Sequence, residues 1–144
     1  MSTATTFLEY QDTAWLATDE DGCVGVFFTS GEGPIRETSF IGAADQFKIE
    51  DLLLELHKSS ESKLHIPFKR PDDLVAMAER GLYAFCWTDA FRASSEVRNV
   101  YELGAEPSRP LNVAQLPDLL RSLGRATKIC GSHFGDAYKL GVQV

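Results

Sequence analysis

Thr13-Ala14-Trp15-Leu16-Ala17-Thr18-Asp19-Glu20-Asp21-Gly22-Cys23-Val24-Gly25-Val26-Phe27-Phe28-Thr29 is the stretch on which the reading of this chain turns. Two apolar runs flank an acidic tip that ends in Asp21-Gly22, the strongest short-range signal for a β-hairpin, because Asp and Gly both tolerate a positive φ. Trp15 and Ala17 alternate with Ala14 and Leu16, and Val24, Val26 and Phe28 alternate with Cys23, Gly25 and Phe27. Apolar groups on both faces predict a strand pair inside a sheet that is covered on each side. The loop Gly31-Glu32-Gly33-Pro34 closes the unit. Its two glycines suggest a phosphate cradle, but it lacks the spacing and the lysine of one, and Glu32 repels phosphate, so it reads as a turn. Asp19, Glu20 and Asp21 lack the ligand spacing of a calcium loop.

Upstream, residues 1–11 stay open between a frayed terminus and an extension of the first strand through Phe7, Leu8 and Tyr10. Downstream, 35–41 reads as extended, with Phe40 and Ile41 as buried points or a third strand. Ile49, Leu52, Leu53 and Leu56 then fall at i, i+3, i+4 and i+7, one stripe of an amphipathic helix, with Glu50, Asp51 and Glu55 on its other side. The polar run 58–63 is a connector. Pro71-Asp72-Asp73 opens a second helix, with Leu74, Met77 and Ala78 inward, and Arg80-Gly81 closes it. The run 82–88 predicts a central strand, with Tyr83, Phe85 and Trp87 on one face and Ala84 and Cys86 on the other. A further strand runs from Val97 to Ala105 on Val97, Tyr101 and Leu103 and ends at Pro107 and Pro110. After brief pairing over 111–113, Pro117-Asp118 starts a third helix bearing Leu119, Leu120 and Leu123 that stops at Gly124. Two short apolar pieces remain, at Ile129 and from Tyr138 to Val144. These elements predict one α+β domain over residues 1–144, a mostly antiparallel sheet with about three helices packed on it.

At 144 residues, with 44 % hydrophobic and 24 % charged residues, the chain is large enough for a core without staples. Cys23, Cys86 and Cys130 are too few and too scattered for a disulfide framework and fit buried thiols in a reducing compartment. The N-terminus has neither the basic segment nor the apolar segment of a secretory signal, and no apolar run approaches the ~20 residues that cross a bilayer. The expectation is a cytoplasmic protein. The net charge of −7 is unevenly spread: up to Ser62, twelve acids stand against Arg36, Lys48 and Lys58, whereas from Lys63 on, eleven bases outnumber nine acids. An acidic half repels nucleic acid and anionic membranes and attracts a basic protein.

Catalytic residues are sparse. Cys130, Ser132 and His133, with Asp136 nearby, form the one constellation that suits a hydrolase, and Cys130 with His133 is half of a zinc site that neither His57 nor His65 completes. The aromatic strand lacks the interleaved bases of a nucleic-acid platform. No metal or cofactor is expected.

Three segments carry a resemblance. They are Trp15-x-x-x-Asp19-x-x-Gly22-x-Val24-x-x-Phe27-x-Thr29-x-Gly31-x-Gly33, then Arg80-Gly81-Leu82-Tyr83-x-Phe85-x-Trp87-x-Asp89, and Tyr101-Glu102-Leu103-x-Ala105-x-Pro107. Together they cover about half the chain, and the pattern resembles small bacterial immunity proteins of polymorphic toxin and contact-dependent secretion systems. Cys86 departs from the pattern, which expects an acid there. The resemblance implies a protein with no chemistry of its own that binds and blocks one cognate toxin. Charge and expected exposure then nominate Asp19, Glu20, Asp21, Glu32, Glu50, Asp51 and Glu55 as partner contacts. Two alternatives stay open: a small hydrolase using Cys130, His133 and Asp136, and a binding module that self-associates as a homodimer, for which Leu54, lying off the apolar stripe, is the hint.

Overall fold

A computed structural model describes residues 5–6, 12–30, 33–65, 72–87, 100–129, 133–136 and 139–140. Expectations that fall on Phe7, Leu8, Tyr10, Glu32, Val97, Cys130 and Tyr138 lie outside these residues. The strands are β1 (Thr5–Thr6), β2 (Ala14–Thr18), β3 (Val24–Phe28), β4 (Ile35–Arg36), β5 (Ser62–Leu64), β6 (Tyr83–Trp87), β7 (Tyr101–Pro107) and β8 (Lys139–Leu140). The helices are α1 (Ala43–Gln46), α2 (Ile49–Leu54), α3 (Asp72–Ala78) and α4 (Asp118–Ala126), with single 3-10 turns at Glu37–Ser39, Val113–Gln115 and Phe134–Asp136. The main sheet runs β2-β3-β6-β7-β5, and β8 also pairs with β7. Every pairing in it is antiparallel except β3 with β6. This is the expected α+β fold.

The hairpin forms as read, with Ala14 opposite Phe28 and Thr18 opposite Val24. Its tip differs in one respect: Gly22 alone takes a positive φ, +81°, and Asp21 does not share it. Both strands are buried along their whole length, because the sheet is covered on each side. On one face Leu16, Val26, Phe28 and Ala84 meet Ile49 and Leu53 of α2, Met77 of α3, and Leu120 and Leu123 of α4. On the other, Trp15, Phe27, Phe85 and Leu103 form one row across four strands. Trp15 stacks on Phe27 at 4.4 Å between ring centroids and Phe27 on Phe85 at 4.8 Å, and Phe134 seats edge-on against Phe85 at 5.3 Å. Each such pair adds about 0.5–1.5 kcal/mol beyond the area it buries. Tyr101 closes the row by accepting from Trp15 Nε1 at 3.1 Å and donating to the Pro34 carbonyl at 2.8 Å. Burial drives the Tyr101 phenol far above its ordinary range, so it stays a neutral donor.

Three local expectations are corrected. The connector 58–63 is not loop throughout: its last two residues begin β5, an edge strand with little apolar alternation, whose backbone pairs with Ala105–Pro107; polar composition suits a sheet edge as well as a loop. The chain after Pro34 is extended only over the two-residue β4 and then makes a 3-10 turn, so Phe40 and Ile41 form no third strand but pack partly buried against the cores. Finally, α4 does not stop at Gly124 but continues to Ala126. Gly124 is instead a contact point, where an added Cβ would stand 3.0 Å from Val113 Cγ2.

Gln46 sets the position of α1 and α2. It is fully buried, and its Nε2 donates to the Ala14 carbonyl at 2.8 Å while its Oε1 accepts from Ile41 N at 3.0 Å. At the far end, the Arg80 guanidinium donates to the Leu54 and Leu56 carbonyls, which α2 leaves without intrahelical partners. Gln46 thereby ties α1 to the start of β2, and Arg80 ties the end of α2 to the chain just after α3.

Candidate functional site

The acidic residues of the first half separate into two groups with opposite environments. In the hairpin tip, Asp19 is 2 % exposed, which corrects its expected role as an exposed contact. Its Oδ1 accepts from Asp21 N and Cys23 N, both at 2.9 Å, and its Oδ2 accepts from Phe134 N at 2.8 Å. The reason is local. A turn that tight leaves amides without carbonyl partners, and a short carboxylate at its first position satisfies them as an Asx turn does. The second oxygen then caps a segment more than a hundred residues away in sequence.

Glu20 and Asp21 remain at the surface, but each faces a base. Lys128 Nζ lies 3.5 Å from Glu20, and His133 Nδ1 lies 2.7 Å from Asp21. The tip also bonds to the segment before α4: Val113 N donates to the Gly22 carbonyl at 2.9 Å, and Cys23 bridges Asn112. It therefore ties the hairpin to the last third of the chain. Beneath it, burial first, and then Asp19 and Asp21, push the Cys23 thiol up to about 11. A thiol held so far from ionisation is a poor nucleophile.

The second group lies on α2. Ile49 and Leu53 point inward as the stripe requires, with Leu52 and Leu56 partly buried. Asp51 and Glu55 are exposed, and Glu50 is half-buried. The fold brings further acids to Glu50. Burial, followed by the charges of Asp73 at the start of α3, Asp12 ahead of β2, and Asp51, raises its carboxyl above the ordinary value. Among the described residues no ion pair joins Glu50, Asp51 or Asp73 to a base. The nearest lysines in sequence have other partners: Lys48 stands 3.4 Å from Asp45, and Lys58 stands 3.8 Å from Glu79. Phe47 and Leu54, 40 % and 37 % exposed, flank these carboxylates on the outer side of the same helical run.

Of the seven expected contacts, Glu20, Asp21, Glu50, Asp51 and Glu55 are thus at least partly accessible, Asp19 is buried, and Glu32 lies outside the described residues. Sequence reading missed Asp12, Asp73 and Phe47. Phe47 was within reach, because a stripe at 49, 52, 53 and 56 turns 47, 51 and 54 outward together. Asp12 and Asp73 join the group only through tertiary packing, and no local signal marks them.

Of the expected constellation Cys130, His133 and Asp136, Cys130 and the side chain of Asp136 lie outside the described residues. The described His133 faces Asp21. His65, expected to stand alone, lies 2.7 Å from Glu106 across β5 and β7. No group of three potential metal ligands occurs among the described residues. No helix among them is long and apolar enough to cross a membrane. Ionised carboxylates only accept hydrogen bonds, so the α2 face suits ammonium and guanidinium groups. Compared with protein-family models, curated proteins and solved structures, the chain matches none.

Proposed function

We propose that this chain is a cytoplasmic immunity protein that neutralises a cognate bacterial toxin by charge-assisted contact. The observation that carries the reading is the set of carboxylates on α2 that no base among the described residues pairs, gathered with Asp73 and beside two exposed apolar side chains. An acidic surface flanked by apolar anchors resembles the complement of a cationic cleft, and such complementarity accelerates encounter and selects the partner. The resemblance of the hairpin and strand segments to immunity proteins points the same way.

The experiment is coexpression with the product of the neighbouring gene. The expected result is that a toxic neighbour is tolerated only when this chain is present, and that the purified pair weakens as salt rises from ~0.05 to ~0.5 M. A neighbour that is harmless alone, or a toxin that kills equally with and without this chain, refutes the reading. The self-association reading draws on Phe47 and Leu54 as well, and sedimentation of the chain alone separates the two: a salt-stabilised dimer would replace the inhibitor reading.

A further inference from the structure

We propose that the outward face of α1 and α2, between Phe47 and Leu54, is the docking surface for a basic amphipathic helix of the partner. This inference rests on the proposed function only for the claim that the partner is a basic protein.

The geometry begins with the junction between the two helical pieces. Phe47 and Lys48 keep right-handed helical dihedrals, φ −69° and −85° with ψ −16° and −15°. The chain therefore keeps its right-handed sense through a two-residue turn, where Lys48 N bonds to the Asp45 carbonyl three residues back, and passes from α1 into α2 as a separate helix. Phe47 in that turn and Leu54 at the end of α2 are both exposed, seven residues and roughly 10 Å apart, with Glu50 and Asp51 between them along the chain. Two apolar groups at that interval match the i and i+7 positions of a facing helix. Leu119 is more exposed, at 55 %, but it stands on α4 without such a pairing.

Charge then selects the occupant. A second copy of this chain would bring Glu50, Asp51 and Glu55 against their own images, in a place where Glu50 already feels Asp73, Asp12 and Asp51. A neutral helix would cover these carboxylates without bonding to them, at the desolvation cost of unpaired acceptors. Lys or Arg side chains flanking an apolar seam bond to them directly. The hairpin tip is the poorer surface, since Asp19 is engaged with backbone amides and Glu20 and Asp21 already face Lys128 and His133.

The test uses a synthetic helical peptide of leucine and lysine, with leucine at i, i+3 and i+7, titrated into the full chain and followed by backbone amide shifts and fluorescence anisotropy. The expected shifts centre on 44–58. The double variant Phe47→Ser, Leu54→Ser should weaken binding about tenfold. Glu50→Gln with Asp51→Asn should weaken it and flatten its salt dependence, whereas Glu20→Gln with Asp21→Asn should leave the affinity unchanged. Circular dichroism and thermal melting confirm that each variant is folded. Absence of binding, shifts centred on the hairpin tip, equal affinity for a leucine and glutamate peptide, or an unaffected serine double variant overturns the inference. So does a dimer of the chain that the serine double variant abolishes. The two proposals fail separately: if the coexpressed toxin is still neutralised by the serine double variant, the docking face is wrong and the immunity function stands. If no toxin is neutralised but the peptide binds as described, the face stands and the immunity function falls.

Discussion

Asp19→Ala should destabilise the fold by about 3 kcal/mol. The substitution takes the acceptor from three amides, two in the partly buried turn and one, Phe134 N, that is buried. Water reaches the turn, so the amides of Asp21 and Cys23 regain solvent partners at a loss of about 0.5–1 kcal/mol each, while the buried amide costs about 2 kcal/mol. Removing a buried carboxylate returns part of its own desolvation cost, which keeps the sum near 3. With an unfolding entropy of ~2.1 cal/mol/K per residue over a chain of this size, 3 kcal/mol lowers Tm by roughly 10 °C. Asp19→Asn separates the two halves of the effect. Its carbonyl oxygen still closes the turn, but its amide nitrogen faces Phe134 N, donor against donor, and about 2 kcal/mol is lost. Urea unfolding and calorimetry give the stabilities, and hydrogen exchange at the amide of Phe134 reports the cap itself. In the Asn variant that amide should exchange faster while those of Asp21 and Cys23 hold. If Asp19→Ala stays within about 0.5 kcal/mol of the unaltered protein, the ordinary range for surface changes, the capping account is refuted.

Glu50→Gln should stabilise the protein near neutral pH. The folded-state carboxyl is raised above its ordinary 4.5, so the folded state binds this proton more tightly than the unfolded chain. The associated stability is therefore present below the unfolded value and lost as pH rises through the folded one. Thermal melts should accordingly show the gain of Glu50→Gln above the folded pKa, vanishing below about 4.5 and shrinking in high salt. Gly25→Ala should cost about 1–3 kcal/mol, because its Cβ would stand 2.9 Å from Phe134 Cε2 in the aromatic core; unchanged urea stability would show that Phe134 yields freely. Cys23, with its thiol near 11, should alkylate roughly a hundredfold more slowly at pH 8 than an unperturbed thiol in a Cys86→Ser, Cys130→Ser background, and unfolding should abolish the difference.

The hairpin, the central β6 and the inner faces of α2 and α3 were legible in the sequence because their determinants are local. Asp-Gly marks the turn, alternation marks β6, and a 3.6-residue period marks the helix stripes. Tyr83, Phe85 and Trp87 even separate from Ala84 and Cys86 into the two observed cores. What was not legible depends on partners remote in the chain. Nothing between Ser62 and Leu64 announces a strand, because the edge forms only when Ala105–Pro107 offers its free backbone. Gly124 carries the local mark of a helix end, yet the close approach of Val113 uses it as a contact. In the candidate site the same distinction applies to charge. Composition counts Asp19, Glu20 and Asp21 as acidic surface, whereas Phe134, Lys128 and His133, all supplied by the last part of the chain, satisfy or face them.

That distinction gives the α2 carboxylates their meaning. An acid that caps amides or faces a base, as those of the tip do, repays its place in the folded state through those partners. Glu50 does the reverse: it is half-buried near three other acids, and its raised pKa records a penalty that the isolated fold carries. Local choices that oppose stability concentrate where a surface serves something beyond the fold. The docking proposal therefore makes one substitution move two measurements in opposite directions. Glu50→Gln should raise thermal stability at neutral pH and, combined with Asp51→Asn, lower affinity for a basic helical peptide. Asp19→Ala should lower stability and leave that affinity intact at temperatures where the variant is folded. A capping acid and a docking acid give this crossed pattern, whereas a uniformly solvated acidic surface gives two variants that differ in neither measurement.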